Sequence, residues 1–202
     1  GNVLQQHKMK DNIQYAIWDY NSAYPIAQIL NGSDTNIDSI AYTSFEADGK
    51  GNWTFTGVPI PDISSPTGAK CYYLGNSITK SGLNTSLAYV VSYWKKSGTV
   101  NVNGTTPTAG RTVRGWTYYE HKVSGPVSGL ITVSGTAGII DELRLYPVGA
   151  QMTTYTYKPL VGTTSQCDAN NRITYFDYDQ FNRLFLVRDQ DYNVIKRLGY
   201  TY

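Results

Sequence analysis

A repeated arrangement of tyrosine and aspartate residues is the feature that most restricts the fold of this 202-residue chain. Tyr157 and Asp168 recur 21 residues later as Tyr178 and Asp189, and another aromatic-Thr-aromatic step lies at 200–202. Alternating segments such as 184–187 lie between these residues and end in clusters of polar turn residues. Alternation of this kind predicts short strands joined by tight turns, so we expect each repeat to be a pair of β-strands.

The same pattern occurs near the start of the chain. Residues 20–29 align with 178–187, and residues 2–4 align with 193–195. We therefore expect residues 1–35 and 150–202 to belong to one repeat system, which residues 36–149 interrupt.

The composition supports an all-β fold. The chain has 18 Tyr against 5 Phe, together with 19 Gly, in a background of Thr, Ser, Val and Asn. Such residues suit strands with one dry and one wet face, and the turns between them. Charged residues make up 16% of the chain, against roughly 25% in an average domain. The net charge of +2 without a basic run argues against nucleic-acid binding, and no apolar stretch is long enough to predict membrane insertion.

Residues 36–149 have the length of one compact β domain. Their alternation predicts strands at 40–47, 52–56, 70–74, 87–96, 99–102, 111–123, 130–133 and 139–146. Turn signals such as Ser97-Gly98 and Ser134-Gly135 separate them. The segment 87–94 also fits helical spacing, but its β-branched and aromatic residues favour a strand. Strands at this spacing predict an antiparallel β-sandwich, and a jelly roll above other topologies.

The repeat segments resemble the RHS or YD-repeat family of large bacterial surface or secreted proteins. The matching motifs are Tyr178-Asp179, Asn182-Arg183-Leu184 and 189–193, with Asn182 and Asn193 where the family usually has glycine. Asparagine also tolerates positive φ, whereas Lys158 in place of Asp is a larger departure. The resemblance implies β-hairpins in a spiral sheet, an extracellular or cell-surface location, and further repeats of the parent chain as partners.

The inserted segment resembles jelly-roll carbohydrate-binding modules and laminin-G-like lectin domains. The resemblance rests on the order of four phrases, at 44–46, 89–95, 115–116 and 140–146. It implies binding of a polysaccharide or other glycan. It also implies a structural calcium held by Glu46 and Asp141.

Asp141 is unusual for a separate reason. Strand alternation places it on one face with Ile139, Leu143 and Leu145, and places Glu142 on the opposite face. A carboxylate in an apolar register must be neutralised, hydrogen-bonded or bound to a cation. Calcium is one solution, and loop N–H groups or an arginine partner are the others.

Sugar recognition requires flat aromatic faces flanked by hydrogen-bonding groups. The candidate ligand-binding residues in the insertion are Trp53, Trp94, Trp116, Tyr118 and Glu120. In a sandwich, filling of the space between sheets is the strong alternative for each tryptophan.

Catalytic motifs find little support. The chain has only two histidines, and no spacing singles out a carboxylate pair among Asp48, Glu120, Asp141 and Glu142. Cys71 and Cys167 fit no metal spacing, and they form either a disulfide or two free thiols.

We therefore expect a non-catalytic glycan-binding module carried by repeats. A structural spacer or protein-interaction domain within the repeat shell is the alternative, and buried tryptophans without a concave aromatic patch would favour it. A hydrolase or lyase relative is a third hypothesis, which requires two carboxylates facing each other across a groove.

Overall fold

The computed structural model describes residues 1–6, 13–30 and 37–201. The predicted boundary at 35/36 and Tyr202 of the terminal motif lie outside the described residues. Within those ranges the chain is β-structure and loops, with two short 3₁₀ turns at Ile37–Ser39 and Val127–Gly129. No helix in the described part of the chain has the length and apolar character needed to cross a bilayer.

The strands follow the chain in three groups. The first three are β1 (Gln5–Gln6), β2 (Gln14–Asp19) and β3 (Tyr24–Leu30). The next eight are β4 (Ala41–Thr43), β5 (Ile60–Pro61), β6 (Lys70–Tyr73), β7 (Ile78–Lys80), β8 (Ala88–Val102), β9 (Thr108–Val113), β10 (Trp116–Ser124) and β11 (Ile131–Pro147). The last five are β12 (Gln151–Lys158), β13 (Gly162–Cys167), β14 (Ile173–Tyr178), β15 (Leu184–Arg188) and β16 (Val194–Arg197).

These strands form two large antiparallel sheets, which confirms the predicted all-β class and is the arrangement expected of a β-sandwich. The repeat sheet has the order β1-β2-β3-β12-β13-β14-β15-β16, so it contains only strands from the two ends of the chain. The insert sheet has the order β5-β6-β11-β8-β10-β9, with β4 and β7 also paired to β11. Leu30 at the end of β3 pairs with Gln151 at the start of β12, so the chain leaves and rejoins the repeat sheet at neighbouring positions.

The repeat sheet contains three turns of one kind, at Asp168, Asp179 and Asp189. In each, the Oδ1 atom of the aspartate accepts backbone N–H groups from the second and fourth following residues. The third following residue has positive φ in every case, and these residues are Asn171, Asn182 and Tyr192. The expectation of positive φ is therefore met at Asn182, whereas at the last turn Tyr192 takes that conformation in place of Asn193.

The periodic tyrosines have a common hydrogen bond, which phenylalanine at these positions could not form. The hydroxyl groups of Tyr157, Tyr178 and Tyr200 donate to the backbone oxygens of Pro25, Thr163 and Leu184 at 2.9, 3.0 and 2.7 Å. Each phenol thereby ties its own segment to another part of the repeat sheet.

The insert sheet is built on two long strands, where the sequence predicts four shorter ones. Residues 88–96 and 99–102 lie in the single strand β8, and residues 131–133 and 139–146 lie in the single strand β11, so only Leu87 and Leu130 of these predicted strands fall outside. The predicted turn at Ser97-Gly98 falls at an irregularity in the β8–β11 ladder, where Gly98 and Ala137 have positive φ. The predicted turn at Ser134-Gly135 is wrong, because these two residues pair regularly with Asn101 and Val100. β-Bulges bend a strand without ending it. Both arms of each bent strand contribute to one core, which contains Val91, Val102 and Val133.

The two sheets pack against each other through two apolar clusters. One cluster joins Ile17 and Met152 of the repeat sheet to Tyr42 and Tyr146 of the insert sheet. The other contains Cys167 and Tyr175 from the repeat sheet, and Cys71, Trp94 and Trp116 from the insert sheet. The insert sheet therefore buries both of its faces, one on its own core and the other on the repeat sheet.

Candidate functional site

The predicted sugar-stacking tryptophans lie inside the molecule. Trp53, Trp94 and Trp116 are 3%, 1% and 0% exposed. Trp53 belongs to the core of the insert sheet, whereas Trp94 and Trp116 belong to the cluster between the two sheets. A sugar ring cannot stack on an indole that solvent does not reach. The core-filling alternative therefore describes all three residues.

Tyr118 and Glu120 are partly buried beside these indoles. The ring of Tyr118 meets Trp94 edge-on at 5.8 Å, and its hydroxyl donates to Glu120 Oε2 at 3.0 Å. Burial raises the pKa of the Tyr118 phenol. The two side chains thus satisfy each other within the packing around Trp94, and the structure does not arrange them as an open platform with the tryptophans.

The two predicted metal ligands, Glu46 and Asp141, hold the same loop. The Oε1 atom of Glu46 accepts the backbone N–H of Ala69 at 2.7 Å and that of Lys70. The Oδ2 atom of Asp141 accepts both the N–H and the hydroxyl of Thr67, at 3.0 and 3.1 Å. Burial raises the pKa of both carboxyl groups, and nearby Glu142 adds to the effect at Asp141.

N–H donors occupy most of the carboxylate oxygens that these two residues would offer to calcium. Calcium takes six to eight oxygen ligands, whereas N–H donors already occupy Glu46 Oε1 and both oxygens of Asp141. Among the described residues, no three His, Cys, Asp or Glu side chains gather to hold a metal. The hydrogen-bonded alternative for Asp141, a carboxylate that accepts loop N–H groups, is the one that the geometry favours.

Asp141 and Glu142 face the same hydroxyl group, although strand alternation places them on opposite faces. The hydroxyl of Thr67 lies 3.1 Å from Asp141 Oδ2 and 2.9 Å from Glu142 Oε2. A break in the β8–β11 register and the positive φ of 56° at Glu142 turn the second carboxylate around. The strand is bulged here, and the simple period of two does not apply. Both residues are almost completely buried, so this carboxylate pair faces no open groove.

Glu142 and Arg144 form a buried ion pair that sequence reasoning missed. Arg144 Nη2 lies 2.9 Å from Glu142 Oε1, and both side chains are 1% exposed. The hydroxyls of Tyr42 and Thr154 also donate to the Glu142 carboxylate. The signal that could have revealed it was the presence of two opposite charges, at 142 and 144, in an otherwise apolar strand.

The guanidinium of Arg144 also joins the two sheets. It donates to the Thr154 hydroxyl at 2.9 Å and to the backbone oxygens of Met152, Cys167 and Asp168 at 3.4, 3.3 and 3.1 Å. All of these acceptors belong to the repeat sheet or its first Asp turn, whereas Arg144 lies in β11. The ion pair therefore fixes the insert sheet against the repeat sheet at a point that water does not reach.

Cys71 and Cys167 are both free thiols, and both are buried. They lie in the same cluster between the sheets, one on each side of it. Burial raises the pKa of Cys71 to about 11 and that of Cys167 to about 12. Thiols with such pKa values stay protonated at neutral pH and behave as small apolar side chains.

A scan against known protein families found no match, and a search of curated proteins found no relative of the chain. The function of the chain is therefore inferred from its geometry.

Proposed function

We propose that this chain is a non-catalytic structural segment of an extended β-repeat protein, in which the insert sheet serves as a fixed cover for the repeat sheet. The observation that carries the proposal is the buried Glu142–Arg144 pair, with its hydrogen bonds from β11 to the opposite sheet. A binding module displayed on a scaffold does not require such an internal link. A spacer within a repeat shell requires this link, because it must stay fixed to the repeat sheet.

Two further features support the structural role. The candidate stacking indoles fill the insert core and the cluster between the sheets. The three identical Asp turns and the tyrosine hydrogen bonds give the repeat sheet a regular construction, as expected of YD-repeat hairpins. We propose that these hairpins come from such a family and that the insert is a jelly-roll relative adapted as a cover.

The outer edge of the repeat sheet is suited to continuation. All residues of β16 are exposed, including Val194 and Ile195 at 51% and 60%. Exposed apolar edge strands are unfavourable unless another strand or a covering element pairs with them. We propose that a further repeat of a surface or secreted parent protein covers this edge.

The test compares the whole chain with residues 37–149 produced alone. If the insert is a cover, it loses the packing of its second face when produced alone, and it should show neither the cooperative unfolding nor the hydrogen-exchange protection of the full chain. An isolated insert with the same melting temperature and protection as in the full chain would contradict the proposal, because it would be an independent guest.

A further inference from the structure

The fourth tryptophan of the chain lies on the face of the repeat sheet that turns away from the insert sheet. In β2, Tyr15 and Ile17 point into the cluster between the sheets, so Ala16 and Trp18 point to the opposite side. A hollow of about 190 Å³ lies on this outer face. Its lining includes Trp18, Pro25, Gln5, Gln14, Gln28 and Thr153.

The groups in this hollow are held in place by hydrogen bonds within the chain. The indole N–H of Trp18 donates to the backbone oxygen of Val3 at 2.9 Å. The hydroxyl of Tyr155 donates to Gln28 Oε1 at 3.1 Å, which fixes the carboxamide of Gln28. The amide nitrogen of Gln28 has two N–H groups to offer. The hollow thus combines a fixed aromatic ring with a fixed polar group.

The chemistry of the lining restricts what can bind. No charged side chain is present among the described residues that line the hollow. Carboxamides and a hydroxyl can both donate and accept hydrogen bonds, which suits hydroxyl groups, and an indole suits the apolar C–H face of a sugar ring. An ionic ligand would lose its hydration here without gaining a counter-charge from the described lining residues.

We infer that this hollow binds one ring of a neutral glycan, with the neighbouring rings extending over the open face of the sheet. The hollow has a volume of about 190 Å³. That space suits a single sugar ring, because sites that enclose drug-sized ligands occupy about 300–1,000 Å³. Binding here does not depend on the structural role of the insert, because none of the described lining residues belongs to the insert.

The test uses the fluorescence of the full chain. Three of the four tryptophans are 0–3% exposed, whereas Trp18 is partly exposed, so acrylamide should quench Trp18 first. We would titrate the chain with neutral cello-, manno-, xylo- and chito-oligosaccharides, and with polygalacturonate fragments as the acidic comparison. The expected result is that at least one neutral series protects Trp18 from quenching and that the acidic series does not.

Two variants and a control assign the binding to the hollow. Gln28→Ala changes an exposed side chain and should weaken binding at least about tenfold, measured by calorimetry, with an unchanged circular dichroism spectrum. Trp18→Phe should remove the fluorescence response. Tyr73→Ala removes a tyrosine that is 50% exposed on the insert sheet, and it should bind as the unaltered chain does. The inference is overturned if no neutral series binds, if the acidic series binds as tightly, or if the folded Gln28→Ala variant keeps full affinity.

Discussion

Replacement of Arg144 by methionine should destabilise the whole molecule. The substitution keeps most of the side-chain volume but leaves Glu142 buried without its counter-charge, and it leaves the backbone oxygens of Cys167 and Asp168 without this donor. Breaking a buried pair by removal of one partner costs about 3–5 kcal/mol. For a chain of this length each kcal/mol lowers the melting temperature by about 2–4 °C, so we expect a decrease of about 6–20 °C.

The chain offers a matched control in a second ion pair that also joins the two sheets. Arg111 of β9 lies 2.9 Å from Asp191 of the last Asp turn, but the two side chains are 49% and 57% exposed. Exposed pairs contribute at most about 1 kcal/mol, so Arg111→Met should change the free energy of unfolding little.

Urea unfolding followed by circular dichroism measures both variants under the same conditions. The double variant Glu142→Gln/Arg144→Met should be more stable than Arg144→Met alone, because it removes the uncompensated charge. The reasoning is refuted if Arg144→Met costs no more than Arg111→Met.

Three further experiments test the loop that Glu46 holds, the buried carboxyl group of Asp141 and the predicted calcium site. Gly68→Ala should lower the free energy of unfolding in urea by about 1–3 kcal/mol, because at its φ of +65° an added Cβ would lie 2.3 Å from Glu46 Cδ. The control, Gly82→Ala, should lower it less, because Gly82 also has a positive φ, of +76°, but has open space around it. Folding raises the pKa of Asp141 above its value of about 3.9 in the unfolded chain. The protonated side chain therefore contributes its full stability to the folded state below that unfolded pKa, and this contribution is lost as the pH rises through the folded pKa. The stability difference between the unaltered chain and Asp141→Asn should therefore be larger at pH 4 than at pH 7; an equal difference would contradict this assignment. Calcium or a chelator should leave the melting temperature unchanged, and a rise with calcium would restore the metal hypothesis.

The division of the chain between two sheets was predictable from local pattern. Strand alternation and turn residues depend on near neighbours, and both ends of the chain carry the same alternation. The pairing of Leu30 with Gln151 is the consequence of that shared pattern. The Asp turns of the repeat sheet nevertheless recur about twice in each 21-residue sequence repeat, because Asp179 forms the same turn midway between Asp168 and Asp189.

The geometry at Asp141 and Glu142 was not predictable in the same way. Alternation assumes an unbroken ladder, but partners from distant segments decide the conformation here. Thr67 and Thr154 lie 75 and 12 residues from Glu142, and both donate to its carboxylate. The resulting network supports a positive φ that costs an ordinary residue about 1–3 kcal/mol. The local sequence therefore does not predict the bulge.

The position of a binding face in this molecule follows from which surfaces remain open after the two sheets have packed. Alternation separates the two faces of β8, with Tyr93 in the insert core and Trp94 against the repeat sheet, yet both side chains are 1% exposed. Where a sheet is covered on both sides, as it is at these two positions, an aromatic residue on either face becomes a core residue. The repeat sheet is covered by the insert on one side, so an aromatic ring on its outer face remains accessible. The single tryptophan outside the insertion, Trp18, meets that condition because it lies on the outer face of β2.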